Sequence, residues 1–176
     1  MLERQILLLN GACGVGKTTL AEAVSDALNR HEIAHAVIDL DALSKSFPRP
    51  ADDPYGTTLA LQNLSALLAN LGPRPLILAR VIETDADLAA LHAALAPCQI
   101  THILLRADLA TLHARLAMRE QGDSLTWHQH RATTLDEALL SGPSPDLTLD
   151  TTNLTPTQGA TVVLTVTDWP ATQEQP

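Results

Sequence analysis

Short apolar runs alternate along the chain with longer segments in which apolar residues recur every three or four positions. The short runs predict strands, and the longer segments predict amphipathic helices between them. Strands separated by helices favour a parallel sheet with helices packed on both faces, because parallel neighbours require a crossover connection. The predicted strands cover residues 5–9, 34–38, 76–79, 100–105 and 146–150, and the predicted helices cover residues 19–30, 56–71, 85–95, 109–120 and 126–140.

The last part of the chain carries mixed signals. The β-branched run at 162–166 favours a strand by propensity, whereas Thr155 followed by Pro156 is typical of a helix start. We favour a helix over residues 155–167, with a strand as the open alternative. Residues 169–176 hold two prolines and several polar residues, so they predict a loose tail after a single domain over residues 1–168.

A phosphate-binding motif lies between the first predicted strand and the first predicted helix. Glycines let the backbone approach a ligand, so that successive N–H groups face phosphate oxygens, and the lysine reaches the terminal phosphates. The hydroxyl of the last motif residue is suited to magnesium. Strand, loop and helix are the context that the motif requires; a glycine-rich turn with a solvated lysine is the alternative. The expected nucleotide-binding residues are Gly11, Ala12, Cys13, Gly14, Val15, Gly16, Lys17, Thr18 and Thr19.

Composition narrows the class of partner. The formal charge is −9 in 176 residues, which argues against a broad nucleic-acid-binding surface. The sequence has no apolar run of membrane-spanning length and no signal-like start, and its two cysteines, Cys13 and Cys98, do not form a disulfide framework. We therefore expect a cytoplasmic protein that binds small molecules, and neither nucleic acid nor a membrane.

Charged residues follow the second and third predicted strands. Asp39 and Asp41 come after residues 34–38, and Arg80 and Glu83 come after residues 76–79. Open parallel sheets bind ligands beyond the carboxyl ends of their strands, so these side chains are candidates for an acceptor site. Asp41 as a helix N-cap, and Arg80 with Glu83 as a surface ion pair, are the alternatives. The proline-rich segment 44–55 predicts an irregular loop over this edge.

Two arginines lie four residues apart on the helix predicted at 109–120. Arg115 and Arg119 therefore share one helix face, where they are either nucleotide contacts or part of a solvated surface. Trp127, His128 and His130 follow, but no cysteine or carboxylate set completes a tetrahedral metal site with them. We interpret that stretch as a solvated or lid-forming helix.

The sequence resembles the small-molecule P-loop kinases, a group that includes the shikimate, gluconate, adenylylsulfate and nucleoside monophosphate kinases. The resemblance is carried by the loop at residues 11–18, Asp39-Leu40-Asp41, the leucine-arginine helix and Asp150-Thr151-Thr152. It implies a three-layer α/β sandwich with the strand order 2-3-1-4-5, and a lid over about residues 115–141. It covers nearly the whole chain in element order, although only the phosphate loop is specific as a motif.

The same resemblance implies roles for individual residues. Lys17 would bind the β and γ phosphates. Thr18 would bind the magnesium ion, and Asp39 would act on the water shell of the metal. Asp41 would meet the acceptor hydroxyl, beside Asp39, Arg80 and Glu83 as further acceptor-site residues. Arg115 and Arg119 would face the nucleotide, with adenine near Arg115 and residues 150–153. Many P-loop proteins carry an acidic residue after the third strand; here that strand ends before Arg80, and Asp39 would take its place.

The expected function is ATP- and magnesium-dependent phosphoryl transfer to a small hydroxylated or phosphorylated metabolite. No Asn-Lys-x-Asp guanine signature is present, which favours ATP over GTP. Two alternatives share the same loop. One is an ATPase or nucleotide switch that acts on a protein partner, and the other is a nucleotide-binding module without catalysis.

Overall fold

The computed structural model describes residues 3–170, which form a parallel five-stranded sheet covered by helices. The strand order is β2-β3-β1-β4-β5. Each neighbouring pair is parallel, so the predicted fold class and strand order are confirmed. The strands are β1 (Arg4–Gly11), β2 (Ala36–Asp39), β3 (Leu76–Ala79), β4 (Cys98–Arg106) and β5 (Leu147–Asp150).

Helices connect successive strands, as the apolar periodicity predicts. Residues 44–56, between the second and third helices, contain turns and no helix or strand, as predicted for the proline-rich loop. None of the helices in the described part of the chain is both long and apolar enough to cross a membrane. The helices are α1 (Lys17–Arg30), α2 (Leu40–Leu43), α3 (Thr57–Leu71), α4 (Asp85–Leu95), α5 (Leu109–Ala117), α6 (Gly122–Leu140) and α7 (Pro156–Thr167).

The central strand β1 supplies apolar side chains to both faces of the sheet. Residues 6–9 of this strand have no exposed surface. Leu7 and Leu9 belong to one core cluster, and Ile6 and Leu8 belong to the other, because successive side chains of a strand point to opposite faces. A strand buried on both faces reads as a continuous apolar run, which explains its sequence.

The parallel register brings three chain segments to one edge of the sheet. Leu9 is paired with Ala79, and Ala79 is paired with Asp39. The residues that follow these positions therefore emerge side by side at the carboxyl ends of β1, β2 and β3. This edge holds the phosphate loop, the Asp39–Asp41 segment and Arg80.

Side-chain caps fix several helix starts that the sequence predicts. Thr84 forms a capping box with Asp87, and Asp108 accepts a hydrogen bond from the Thr111 N–H at 2.6 Å. Thr155 caps α7 and Pro156 occupies its first turn, so the helix predicted over residues 155–167 is confirmed. Val163, one of the β-branched residues of this helix, packs in the core.

Several boundaries differ from the sequence prediction, most of all between α5 and α6 and at the C-terminal end. Helix α5 ends at Ala117 instead of residue 120, and α6 begins at Gly122 instead of residue 126. The break is confined to residues 118–121, because Gln121 adopts an extended conformation before α6 begins. Trp169 is 5% exposed and packs in the core, so it does not belong to a loose tail; residues 171–176 of that predicted tail lie outside the described residues.

Candidate functional site

The phosphate loop connects β1 to α1 through glycines in conformations that side chains rarely adopt. Gly11 has a φ of 145°, and a Cβ atom there would lie 2.6 Å from the Leu105 carbonyl oxygen. Gly16, the N-cap of α1, has a φ of 101° and no side-chain cap. With no acidic residue in its first turn either, α1 leaves its N-terminal N–H groups available to an anion.

The Lys17 side chain folds back over the phosphate loop. Its ammonium group donates hydrogen bonds to the carbonyl oxygens of Gly11 at 2.8 Å and Ala12 at 3.2 Å. Burial lowers the pKa of Lys17, and the nearby acidic groups of Cys13, Asp41 and Asp39 oppose this shift. Phosphate oxygens would give the ammonium group a charged partner in place of two neutral carbonyls.

Asp39 joins the end of β2 to the phosphate loop. One carboxylate oxygen accepts a hydrogen bond from the Thr18 hydroxyl at 3.1 Å, and the other accepts one from the Asp41 N–H at 2.9 Å. Asp39, rather than Asp41, is therefore the N-cap of α2, so the capping alternative for Asp41 is wrong. The Thr18 hydroxyl and the Asp39 carboxylate are hard oxygen donors that fit Mg²⁺.

Asp41 forms an ion pair with Arg80. The two side chains approach to 2.8 Å, and Arg80 also donates a hydrogen bond to the Thr57 hydroxyl at 2.9 Å. The Arg80 side chain is 9% exposed whereas that of Asp41 is 59% exposed. The pair therefore neutralises a buried guanidinium while one side of the carboxylate stays open to a ligand. Arg80 is not paired with Glu83 as a surface ion pair.

A pocket of about 330 Å³ opens beside this ion pair, and we call it the Asp41 pocket. Its walls come from the phosphate loop, residues 40–61, the segment after β3, α4 and α6. Apolar side chains including Leu61 and Leu91 form part of the wall. Four cations, three carboxylates, two aromatic rings and one phosphate-loop residue line it: Lys45, Arg49, Arg80, Arg131, Asp41, Glu83, Asp87, Tyr55, Trp127 and Cys13.

Glu83 forms an ion pair with Arg131 of α6 at the rim of the Asp41 pocket. The Arg131 guanidinium also lies over the Tyr55 ring, 5.2 Å from its centroid. These contacts join three separate segments around one opening. Gly142 supports them, because a Cβ atom there would lie 2.8 Å from the Glu83 carbonyl oxygen.

A second cavity of about 300 Å³, which we call the Arg115 cleft, lies on the other side of the phosphate loop. Gly14, Val15 and Gly16 line it together with Thr151 and Leu154. Cys13 lines the Asp41 pocket instead, so the loop separates the two cavities. A ligand on the loop would thus have one space beyond each end of its phosphate chain.

Arg115 connects two segments that line this cleft. Its guanidinium donates hydrogen bonds to the Val15 carbonyl at 3.2 Å and to the hydroxyl and carbonyl oxygens of Thr151 at 3.1 and 2.7 Å. Arg119 also lines the cleft, but it lies beyond α5, is 58% exposed and is 3.3 Å from Glu120. The two arginines therefore border one cavity, where Arg115 is held by hydrogen bonds and Arg119 is exposed.

Asn10 connects the phosphate loop to the segment after β3 through side-chain hydrogen bonds. Its side-chain oxygen accepts hydrogen bonds from the N–H groups of Gly11 at 2.7 Å and Ile82 at 2.9 Å. Its amide nitrogen donates to the Ile82 carbonyl at 2.9 Å and lies 3.1 Å from Nε2 of His102. Because the Asn10 nitrogen is a donor, His102 Nε2 must be the acceptor, so the ring is neutral in this arrangement.

This arrangement predicts a pH-dependent stability. Burial lowers the pKa of His102, although a Ser144 backbone contact and the Asp146 charge oppose the shift. The unfolded chain therefore binds more protons at this ring as the pH falls below about 6.5, and stability decreases. We expect the free energy of unfolding, measured in urea, to fall more between about pH 7.5 and 5.5 in the unmodified protein than in His102→Gln. Equal falls would contradict a neutral, buried His102.

Sequence reasoning missed two residues of this site. Asn10 has a local signal, because a polar residue ends an otherwise apolar strand just before the loop. Arg131 has no such signal, because it meets Glu83 across 48 residues of chain. Trp127 and His128, read as part of a solvated or lid-forming helix, line the Asp41 pocket. The described residues contain no cluster of three or more His, Cys, Asp or Glu side chains that could hold a metal ion.

Comparisons with solved structures identify the fold. No family model matches the chain, and no curated protein matches it. The chain is similar to the Mycobacterium tuberculosis APS kinase CysC in complex with AMPPNP and APS (18% identity, 96% and 99% of the two chains, TM-score 0.66). It is also similar to the Deinococcus radiodurans tunicamycin resistance protein (22%, 94% and 96%, 0.63) and to a Sinorhizobium meliloti gluconokinase (18%, 95% and 95%, 0.59). The chain has the fold of small-molecule P-loop kinases.

Proposed function

We propose that this protein transfers a phosphoryl group from ATP to a small hydroxylated or phosphorylated metabolite with the help of Mg²⁺. The observation that carries the proposal is the position of the phosphate loop between two cavities. Phosphoryl transfer needs a donor and an acceptor on opposite sides of the transferred group, roughly in line. A protein that only hydrolyses or senses ATP needs no second pocket, so the Asp41 pocket favours a kinase.

The donor would lie on the loop, with its adenine in the Arg115 cleft. The N–H groups of residues 11–18 would bind the phosphates, and Lys17 would neutralise the negative charge on the β and γ groups. Arg115 would shape the base of the cleft through its bonds to Val15 and Thr151, and Arg119 would swing from its exposed position towards the phosphates. Together these groups stabilise charge that grows during transfer.

The Thr18 hydroxyl and the Asp39 carboxylate would hold the metal, directly or through its water shell. When bound, Mg²⁺ neutralises phosphate charge and orients the phosphate chain. The phosphate oxygens would complete a ligand set that the protein alone does not supply, which is the usual arrangement for Mg²⁺ in kinases.

The acceptor would enter the Asp41 pocket. The free side of the Asp41 carboxylate would accept a hydrogen bond from the acceptor hydroxyl and orient it towards the phosphate loop, and it would take the proton as the new bond forms. Arg80 fixes the position of that carboxylate from the buried side. Glu83, held by Arg131, would contact a polar group farther out on the acceptor.

A pooled experiment tests the proposal. The protein is incubated with ATP, Mg²⁺ and a metabolite extract, and mass spectrometry searches for species that gain one phosphoryl group. A gain that requires the unmodified protein and disappears in Lys17→Ala supports the proposal. ATP consumption without any gain would point to an ATPase, and nucleotide binding without consumption to a non-catalytic module.

A second prediction concerns the metal. We expect Asp39→Asn to raise the Mg²⁺ concentration for half-maximal transfer by about tenfold or more, because a ligating or orienting carboxylate becomes a neutral amide. The amide keeps an oxygen that can still cap α2. The measurement is a Mg²⁺ titration of transfer at fixed ATP, with Asp52→Asn in the exposed 44–56 loop as the matched control. An unchanged Mg²⁺ requirement in Asp39→Asn would remove Asp39 from the metal site.

A further inference from the structure

The aromatic residues of this protein are distributed unevenly. The chain has two Trp, one Tyr and one Phe. Trp169 packs in the core, whereas Tyr55 and Trp127 are 55% and 53% exposed and line the Asp41 pocket. Phe47, which is 98% exposed, lies in the loop that supplies the same wall. All the aromatic rings outside the core therefore belong to segments that border this pocket.

The positive charges are distributed unevenly as well. The chain has 11 Lys and Arg residues against 20 Asp and Glu, yet four of those 11 line the Asp41 pocket. Arg80 is paired with Asp41, and Arg131 is paired with Glu83. Within residues 3–170, Lys45 and Arg49 have no carboxylate partner within ion-pairing distance.

Asp87 is the third carboxylate of the pocket, so the four cations exceed the carboxylates of the lining by one. One Asp87 oxygen accepts hydrogen bonds from the N–H and hydroxyl groups of Thr84 at 3.0 and 2.8 Å, and Asp87 lies beyond ion-pairing distance of Lys45 and Arg49. Arg49 donates a hydrogen bond to the Pro54 carbonyl at 3.0 Å, which directs it along the loop towards Tyr55. The pocket thus combines exposed aromatic surface with two cations outside ion pairs and an excess of one positive charge.

We propose that the acceptor carries both a flat ring and a negatively charged group. The ring would stack on Trp127 or Tyr55, and the anionic group would lie between Lys45 and Arg49, while the reacting group reaches Asp41. An uncharged sugar would leave these cations without a partner, and a chain-like aliphatic acid would leave the aromatic surface uncovered. This inference rests on the Asp41 pocket being the acceptor site of the proposed kinase.

The test measures separately how much the flat ring and the negative charge of a ligand contribute to binding. Calorimetry measures the binding of four probes to the protein saturated with Mg²⁺ and the non-hydrolysable AMPPNP, which fills the Arg115 cleft. The probes are UMP and AMP, which have both features, uridine, which lacks the charge, and ribose 5-phosphate, which lacks the flat ring. We expect UMP or AMP to bind at least about tenfold more tightly than uridine and ribose 5-phosphate.

Two variants assign each contribution to its residues. Trp127→Leu is expected to weaken UMP and uridine about tenfold and to leave ribose 5-phosphate unchanged, because only the ring contact is lost. Lys45→Gln combined with Arg49→Gln is expected to weaken UMP and ribose 5-phosphate about tenfold and to leave uridine unchanged. The probe that each variant leaves unchanged shows that the variant is folded. Arg74→Gln, an exposed arginine outside the pocket lining, is the charge control.

Several outcomes would overturn the inference. Ribose 5-phosphate or uridine binding as tightly as UMP and AMP would do so, as would the failure of all four probes to bind. Equal effects of both variants on all four probes would also overturn it, because neither the ring contact nor the anion contact would then belong to these residues. Because binding is measured without transfer, failure of the proposed kinase activity would appear separately, in the pooled experiment.

Discussion

Replacement of Lys17 by alanine is expected to lower the proposed phosphoryl transfer about 100-fold or more, because the cation proposed to face the terminal phosphates is lost. The fold is expected to survive. Within residues 3–170, the Lys17 amine donates hydrogen bonds only to the Gly11 and Ala12 carbonyl oxygens and forms no ion pair. The measurement is kcat/KM for ATP with the acceptor found in the pooled experiment, beside the Kd for ATP from calorimetry.

A matched control distinguishes the loss of a positive charge at the phosphate loop from the loss of a positive charge elsewhere on the protein. Arg74→Gln removes one positive charge from an exposed position outside both cavities, and its kcat/KM should stay within about twofold of the unmodified protein. If Lys17→Ala kept more than about a tenth of the activity, the loop would not be the phosphoryl donor site. The kinase proposal would then fail at its central residue.

The second large effect is expected from Asp41→Asn, which should lower kcat about 100-fold and leave the Kd for ATP unchanged. The amide oxygen can still accept the Arg80 hydrogen bond, so the buried guanidinium keeps a partner and the pocket keeps its shape. The variant would lose only the proposed role of Asp41, which is to orient the acceptor hydroxyl through a charge and to take its proton. The measurement is steady-state transfer at saturating acceptor.

Thr57→Val provides the comparison for Asp41→Asn. It removes another hydrogen bond of Arg80 and leaves the Asp41 carboxylate intact, so a much smaller fall in kcat is expected. Similar falls in the two variants would mean that Asp41 acts only by holding Arg80. A rise in KM for the acceptor with kcat preserved in Asp41→Asn would assign Asp41 to binding alone.

The sequence predicts those parts of the site that depend on local pattern. Residues 11–18 have fixed spacing, and Asp39 and Asp41 directly follow a strand, so their approach to the loop follows from parallel topology. The 3.1 Å bond between Thr18 and Asp39 agrees with that expectation. The strand order 2-3-1-4-5 was implied by resemblance alone, and the structure confirms it.

Contacts between distant segments could not be predicted in the same way. Arg131 meets Glu83, and Asn10 meets Ile82 across 72 residues, because helix packing and sheet register bring them together. No periodicity in the sequence encodes either pair. The sequence likewise offers Glu83 as one possible partner of Arg80, because the two residues are close along the chain. The sheet instead places Arg80 beside Asp41.

The bonds of Asn10 have a consequence for how acceptor preference can change. They join Gly11, where the phosphate loop begins, to Ile82, which lines the Asp41 pocket, so the loop and the inner wall of this pocket are held together by hydrogen bonds. The outer wall of the Asp41 pocket comes instead from the irregular loop at 44–56 and from α6, whose side chains meet across its opening. In the proposed kinase, substitutions in that outer wall would exchange one acceptor for another while the distance over which the phosphoryl group travels stays constant. Acceptor choice would then evolve separately from the geometry of transfer.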